Sequence, residues 1–175
     1  MNIYLIGFMG SGKSTAGKGI ARLLRWKFLD LDKLVEADEG MPVASIFAIR
    51  GESYFRKAES KALQTVSART RTVVACGGGT PCSEENISLM KATGVTVYLR
   101  LTVEALVSRL SRSRTDRPLL KDAGQAELHD RVMELLEKRS AWYEQADLIL
   151  DSETMDDDEV TAMIAGVVRS KGAYL

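Results

Sequence analysis

The sequence predicts an α/β fold, a five-stranded, mainly parallel sheet with helices on both faces. Three observations predict it. The apolar run Ile3-Tyr4-Leu5-Ile6 leads into Gly7-Phe8-Met9-Gly10-Ser11-Gly12-Lys13-Ser14 and then into a segment with Ala16, Ile20, Leu23 and Leu24 at helical spacing, which reads as strand, loop and helix. Further β-rich runs at 27–32, 72–76, 95–101 and 147–150 alternate with helical segments. Two of these runs end in residues that packing alone does not call for: a pair of aspartates after one and three glycines after the other. Both lie at the strand ends where open α/β sheets bind ligands.

The first loop is built for phosphate. Gly7, Gly10 and Gly12 let the backbone turn its N–H groups onto phosphate oxygens, and the new helix presents the positive end of its dipole to the same anion. Lys13 then reaches the β- and γ-phosphates of a nucleotide, and the Ser14 hydroxyl ligates Mg²⁺.

Composition narrows the rest. A chain of 175 residues is of single-domain size, so residues 1–175 are expected to form one domain with a mobile insert. Lys plus Arg and Asp plus Glu both number 24, so the formal charge is zero and nothing global favours nucleic acid or an anionic membrane as partner. Cys76 and Cys82 show no metal-ligand spacing and leave no disulfide framework, which fits a reducing compartment. The single histidine, His129, is expected to be exposed and inert. The apolar N-terminus lacks a basic leader, and no stretch approaches the roughly 20 apolar residues of a membrane span. The expectation is a soluble cytoplasmic protein, where ATP is available.

Taken in order, Lys27-Phe28-Leu29-Asp30-Leu31-Asp32 reads as a strand whose spacing puts Asp30 and Asp32 on one face. One of the two is equally suited to cap a helix beginning near Lys33. Residues 42–49 and 52–68 form two helical segments separated by Gly51, and in the second Arg56 shares a face with Glu59, either as a surface pair or as an oriented guanidinium. Thr72 to Cys76 is a strand buried on both sides, followed by Gly77-Gly78-Gly79. Three consecutive glycines cost backbone entropy and pack nothing, so something approaches that backbone closely. A helix over 83–92, a strand over 95–101 and a helix from the cap Thr102 to about Leu110 follow. Residues 111–124 lose all periodicity and carry Arg112, Arg114, Arg117 and Lys121, as a lid closing over a polyanion would. In the helix over 125–143, Arg139 interrupts the apolar stripe of Val132, Leu135, Leu136 and Tyr143; it needs an anionic partner, from the protein or from a ligand. A strand over 147–150 and a helix opened by the acidic run at 156–159 complete the chain.

These motifs together resemble the shikimate kinase family, small P-loop kinases of the nucleoside-monophosphate-kinase fold. The residues that carry the resemblance are 7–15, Asp30-Leu31-Asp32, Phe55-Arg56-Lys57-Ala58-Glu59, Gly77-Gly78-Gly79, Arg117-Pro118-Leu119-Leu120, and Arg139 with Tyr143. The resemblance implies a sheet order of 2-3-1-4-5 and transfer of the ATP γ-phosphoryl group to the 3-hydroxyl of shikimate, in aromatic amino-acid biosynthesis. It implies that Gly10, Ser11, Gly12, Lys13, Ser14 and Thr15 bind the nucleotide and that Ser14 and Asp30 hold Mg²⁺. Asp32 binds the substrate hydroxyls and accepts the proton of the attacking one. Arg56 and Arg139 grip the carboxylate, Gly77, Gly78 and Gly79 lie against the ring, and Phe47 and Phe55 line its apolar side. Arg117 swings in with the lid, residues 33–68 form the substrate-binding segment, and a monomer is the family's common state. Two points depart from the pattern. The third strand ends in Ala75-Cys76 with no acid, so Asp30 must serve the metal, and the arginine that stacks on adenine is either Arg109 or Arg112. The rival readings are a gluconate-kinase-type enzyme, which would lack the triple-glycine and Phe-Arg pattern, and an ATP-binding switch module without small-molecule turnover.

Overall fold

A computed structural model describes residues 1–112, 119 and 125–170. The strands β1 (Asn2–Ile6), β2 (Lys27–Asp30), β3 (Thr72–Ala75), β4 (Gly94–Arg100) and β5 (Leu148–Asp151) form one sheet in the order β2-β3-β1-β4-β5. Every neighbouring pair is parallel. The expected order and class therefore hold.

The strands read as unbroken apolar runs because both faces of the sheet are covered. On β1, Tyr4 and Ile6 enter a core with Val74, Leu63 and Met90, under α3 (Val43–Ser67) and α4 (Glu84–Thr93). Ile3 and Leu5 enter a second core with Ile20, Val97 and Ile164, under α1 (Lys13–Leu24) and α7 (Asp157–Ser170). Helices α2 (Leu31–Glu39), α5 (Val103–Arg112) and α6 (Gln125–Tyr143) complete the first layer. Strand β1 stands between β3 and β4, so the chain leaves it in one direction for β2 and β3 and crosses to the other side for β4. The crevice beyond the carboxyl ends of β1 and β3 is the place such a sheet offers a ligand.

One sequence expectation changes. Residue Asp32 is not on β2: the strand ends at Asp30, which caps α2 by accepting a hydrogen bond from Lys33 N at 3.4 Å, and Asp32 sits in the first helical turn. Pairing of β2 with β3 stops at Asp30↔Ala75, so nothing holds the chain extended beyond it. The expected break at Gly51 is present: α3 is two helical segments meeting at a kink, where Gly51 alone is non-helical at φ 78° and ψ 169°. The expected cap is present, Thr102 accepting from Ala105 N at 3.2 Å, and Ser83 caps α4 in the same way, accepting from Asn86 N at 3.3 Å. His129 is half-exposed beside Asp130. Among the described residues no helix is long and apolar enough to cross a membrane.

At the amino end of the sheet, buried Asn2 accepts from Thr72 N at 3.2 Å and donates to the Arg69 carbonyl at 2.9 Å, tying the turn before β3 to β1. Replacing Asn2 with Ala strands these buried groups, and we expect it to lower stability by about 1–3 kcal/mol in denaturant unfolding while leaving turnover unchanged. A loss below about 0.5 kcal/mol would contradict this.

Candidate active site

The loop between β1 and α1 leaves the helix N-terminus open. Gly12 caps α1 in the left-handed region at φ 92°, with no side-chain cap hydrogen bond and no acid in the first turn among the described residues. By contrast α2 and α4 are capped by Asp30 and Ser83. An uncapped amino terminus keeps its N–H groups and positive dipole end for an anion. Lys13 Nζ lies back over the loop and donates to the carbonyls of Gly7 at 2.9 Å and Phe8 at 2.7 Å. Ser14 Oγ donates to Asp30 Oδ2 at 2.7 Å.

A cleft of about 470 Å³ runs from this loop to the substrate segment. That volume suits a small-molecule site. Gly10, Gly12, Lys13, Ser14, Thr15, Asp30 and Asp32 line it, as do Phe47, Phe55, Arg56, Gly77, Gly78, Gly79 and Arg139. The structure thus brings together almost every residue singled out in the sequence. Ser11 is buried within the loop, where its Oγ accepts from Lys13 Nζ at 3.5 Å, and is not on the cleft wall. Arg117, with 113–118 and 120–124 of the lid, lies outside the described residues, whereas Leu119 lines the cleft. Of the two adenine candidates, Arg109 Nη1 stands 3.5 Å from the point a Cβ on Gly12 would occupy, whereas Arg112 Nη2 donates to Ser108 Oγ at 2.9 Å on its own helix.

Two of the three glycines leave no space for a side chain. A Cβ on Gly77 would overlap the Glu59 carboxylate and stand 2.7 Å from Asp32 Oδ1, and a Cβ on Gly79 would overlap the Arg56 guanidinium. Glu59 itself escaped the sequence reading as a buried group. It is wholly inaccessible, accepting from Thr80 Oγ1 at 2.7 Å and Arg56 Nη1 at 2.5 Å. Phe8 was also missed: buried inside the glycine loop, its ring lies 5.8 Å from the Arg139 guanidinium carbon. An aromatic residue within a glycine-rich loop was the available signal.

The two arginines are held differently. Arg56 is already neutralised, by Glu59 and by Glu52 at 2.8 Å, and packs over Phe47 and Phe55. Arg139 is buried, its Nη1 has no hydrogen-bond partner, and no carboxylate among the described residues pairs with it. The alternative left open in the sequence is thereby narrowed to an anion from outside the described residues. Asp32 is its counterpart in charge: Oδ1 is buried without a partner. Burial pushes its pKa up to about 6, and the Glu59 and Asp30 carboxylates add to the rise against Lys13 and Arg56. A carboxylate poised near neutrality in a cleft is suited to accept a proton. Burial also raises the Cys82 thiol to about 11, so it stays protonated.

The oxygen donors fit a hard divalent cation: Ser14 and Asp30 adjoin each other at the phosphate end of the cleft. Among the described residues no cluster of three His, Cys, Asp or Glu exists to hold a metal by protein alone. A cation there would share its coordination with nucleotide phosphates.

A shikimate kinase family model matches residues 9–169. The chain belongs to the shikimate kinase family. It is 40% identical over 153 residues to the shikimate kinase of Parabacteroides distasonis, covering 87% of this chain and 88% of that one. Over 143 residues it is 43% identical to that of Alkaliphilus oremlandii, covering 82% and 83%. Shikimate kinase from Acinetobacter baumannii, solved in complex with shikimate, shares 32% identity at a TM-score of 0.90, covering 97% of this chain and 93% of that one. The Bacteroides thetaiotaomicron enzyme shares 35% at 0.88, covering 98% of each. The YorR protein of Bacillus subtilis, at 15% identity and a TM-score of 0.67, shows the fold alone. Family membership makes the chain an ATP-dependent kinase of shikimate, and neither the gluconate-kinase nor the switch reading is favoured.

Removing each arginine should change stability in opposite directions. Without ligand, Arg56→Met leaves Glu59 buried and unpaired and is expected to cost about 3 kcal/mol, whereas Arg139→Met removes an unpaired buried charge and is expected to be neutral or stabilising. Equal losses in urea unfolding would contradict the distinction. Asp32 binds its proton more tightly folded than unfolded, where its ordinary value is 3.8. Its contribution is full below about pH 4 and is lost as pH rises through about 6. Asp32→Asn should therefore stabilise the ligand-free protein by roughly 2–3 kcal/mol at pH 7.5, the gain closing toward pH 4. A gain independent of pH would refute this origin.

Proposed function

We propose that the cleft phosphorylates the 3-hydroxyl of shikimate, with the nucleotide on the α1 side and the acceptor between α2, α3 and α6. The observation that supports this division is a pair of buried atoms without a hydrogen-bond partner among the described residues, Arg139 Nη1 and Asp32 Oδ1, on residues that line one cleft with the N-terminus of α1. A hydroxy acid satisfies both: its carboxylate meets Arg139 and its hydroxyl meets Asp32. Arg56 adds a planar fork to the carboxylate. The Phe47 and Phe55 rings, 4.9 Å apart, supply the apolar wall for a carbocycle, and the bare backbone of Gly77, Gly78 and Gly79 lets its ring come close.

In the reaction the 3-oxygen bonds to the γ-phosphorus as the bond to the β,γ-bridging oxygen breaks, releasing ADP. Asp32 takes the hydroxyl proton. Little covalent help is needed, so positioning and charge neutralisation account for most of the rate. Amides of Gly10, Ser11, Gly12, Lys13, Ser14 and Thr15 cradle the phosphates, and Lys13 transfers its ammonium from the loop carbonyls to the β- and γ-oxygens. Ser14 and Asp30 would hold Mg²⁺, which when bound neutralises phosphate charge. Arg117, in the segment 111–124, supplies a further cation to the transferring group, and Arg109 lies nearer the nucleotide loop than Arg112 does. One chain contains every group invoked, so a monomer suffices.

The test is ADP release in a coupled assay with Mg-ATP, with shikimate, with gluconate or with no acceptor. We expect shikimate-dependent turnover, reduced about 10²- to 10⁴-fold by Asp32→Asn and about 10²-fold or more by Arg117→Ala with ATP binding retained. Turnover with gluconate alone would replace the acceptor assignment, and acceptor-independent hydrolysis alone would favour a switch.

A further inference from the structure

A buried arginine that must meet a ligand with its full charge cannot be held by a carboxylate of its own protein. Arg56 is held that way, and it shares its charge with Glu52 and Glu59. Arg139 is not, so something neutral has to fix it. One turn further along α6 lies Tyr143, fully buried, its ring 5.0 Å from that of Tyr98. Its hydroxyl donates to the Gly78 carbonyl at 2.5 Å.

Gly78 is where the two halves of the cleft touch. The point its Cβ would occupy is 3.3 Å from Arg139 Nη1, 3.5 Å from Met9 N and 3.6 Å from the Gly7 carbonyl. That Gly7 carbonyl also receives Lys13 Nζ. One glycine therefore abuts the guanidinium of the acceptor side and the backbone of the phosphate loop. With no side chain of its own, its peptide rotates freely unless a bond holds it.

We propose that Tyr143 is a positioning residue: by holding the Gly78 carbonyl it sets the spacing between Arg139 and the phosphate loop, and so between acceptor and donor. The inference rests on the reading above that Arg139 receives the substrate carboxylate. Tyrosine suits the task because burial raises its pKa, keeping it a neutral donor that leaves the Arg139 charge for the ligand. Without the hydroxyl, the Gly78 carbonyl keeps, among the described residues, the Cys82 thiol, a weak donor at 3.8 Å.

The experiment compares wild type, Tyr143→Phe and Tyr4→Phe. Tyr4 is a matched control: fully buried, with its hydroxyl paired to Thr93 Oγ1 at 2.7 Å and outside the cleft. For Tyr143→Phe we expect kcat/KM for shikimate to fall on the order of tenfold, with KM for shikimate raised. KM for ATP and the rise in Tm on adding nucleotide should stay as in wild type, the latter showing that the variant is folded. For Tyr4→Phe we expect a lower Tm and unchanged kinetics. A Tyr143→Phe enzyme that follows the Tyr4 pattern overturns the proposal, as does an equal loss for both substrates. A wild type that does not turn over shikimate overturns the reading beneath it, which the first arm shows separately.

Discussion

Between β3 and α4 three consecutive glycines run against charged side chains, which leave no room for a Cβ at Gly77 or Gly79 and little at Gly78. Glu59 and Asp32 close on Gly77, Arg139 on Gly78 and Arg56 on Gly79. The rest of the cleft depends on this contact. It lets α2, α3 and α6, which carry those four charges, converge on the carboxyl end of β3, beside the loop that follows β1. Any larger residue would separate them, and the acceptor side would lose its distance to the phosphate side.

Charge is distributed across that contact unevenly, and the unevenness is what a ligand exploits. Glu59 is satisfied by Arg56 and Thr80, a buried acid whose lone pairs are spoken for. Asp32 and Arg139 each keep an unpartnered atom at a cost in folding stability. Residues left unsatisfied in a folded protein mark where binding energy is recovered when a substrate arrives. The N-terminus of α1 resembles them in backbone form, since its cap residue, Gly12, supplies no side chain to close it.

Much of this was legible before the fold. The phosphate loop follows from local rules, because spacing within eight residues sets both the turn and the helix start. Glycines at the end of a buried strand announced a close approach without saying what approached. Asp30 and Asp32 were legible as a pair but misplaced as strand neighbours, because the end of β2 is decided by where β3 stops offering partners. Arg56 with Glu59 looked the same as any surface pair, since i,i+3 spacing carries no information about burial.

The sequence by itself determined the α/β alternation, the phosphate loop, the candidate anion-binding arginines and the resemblance to a kinase family. Each is written in periodicity or in short motifs, whose physics is local. Only the tertiary structure decided that Glu59 is buried, that Arg56 is neutralised while Arg139 is not, that Arg109 rather than Arg112 adjoins Gly12, and that Tyr143 reaches Gly78. Those outcomes depend on contacts between residues tens of positions apart, where packing against another element sets exposure, partner and charge. No window along the chain contains both members of such a contact.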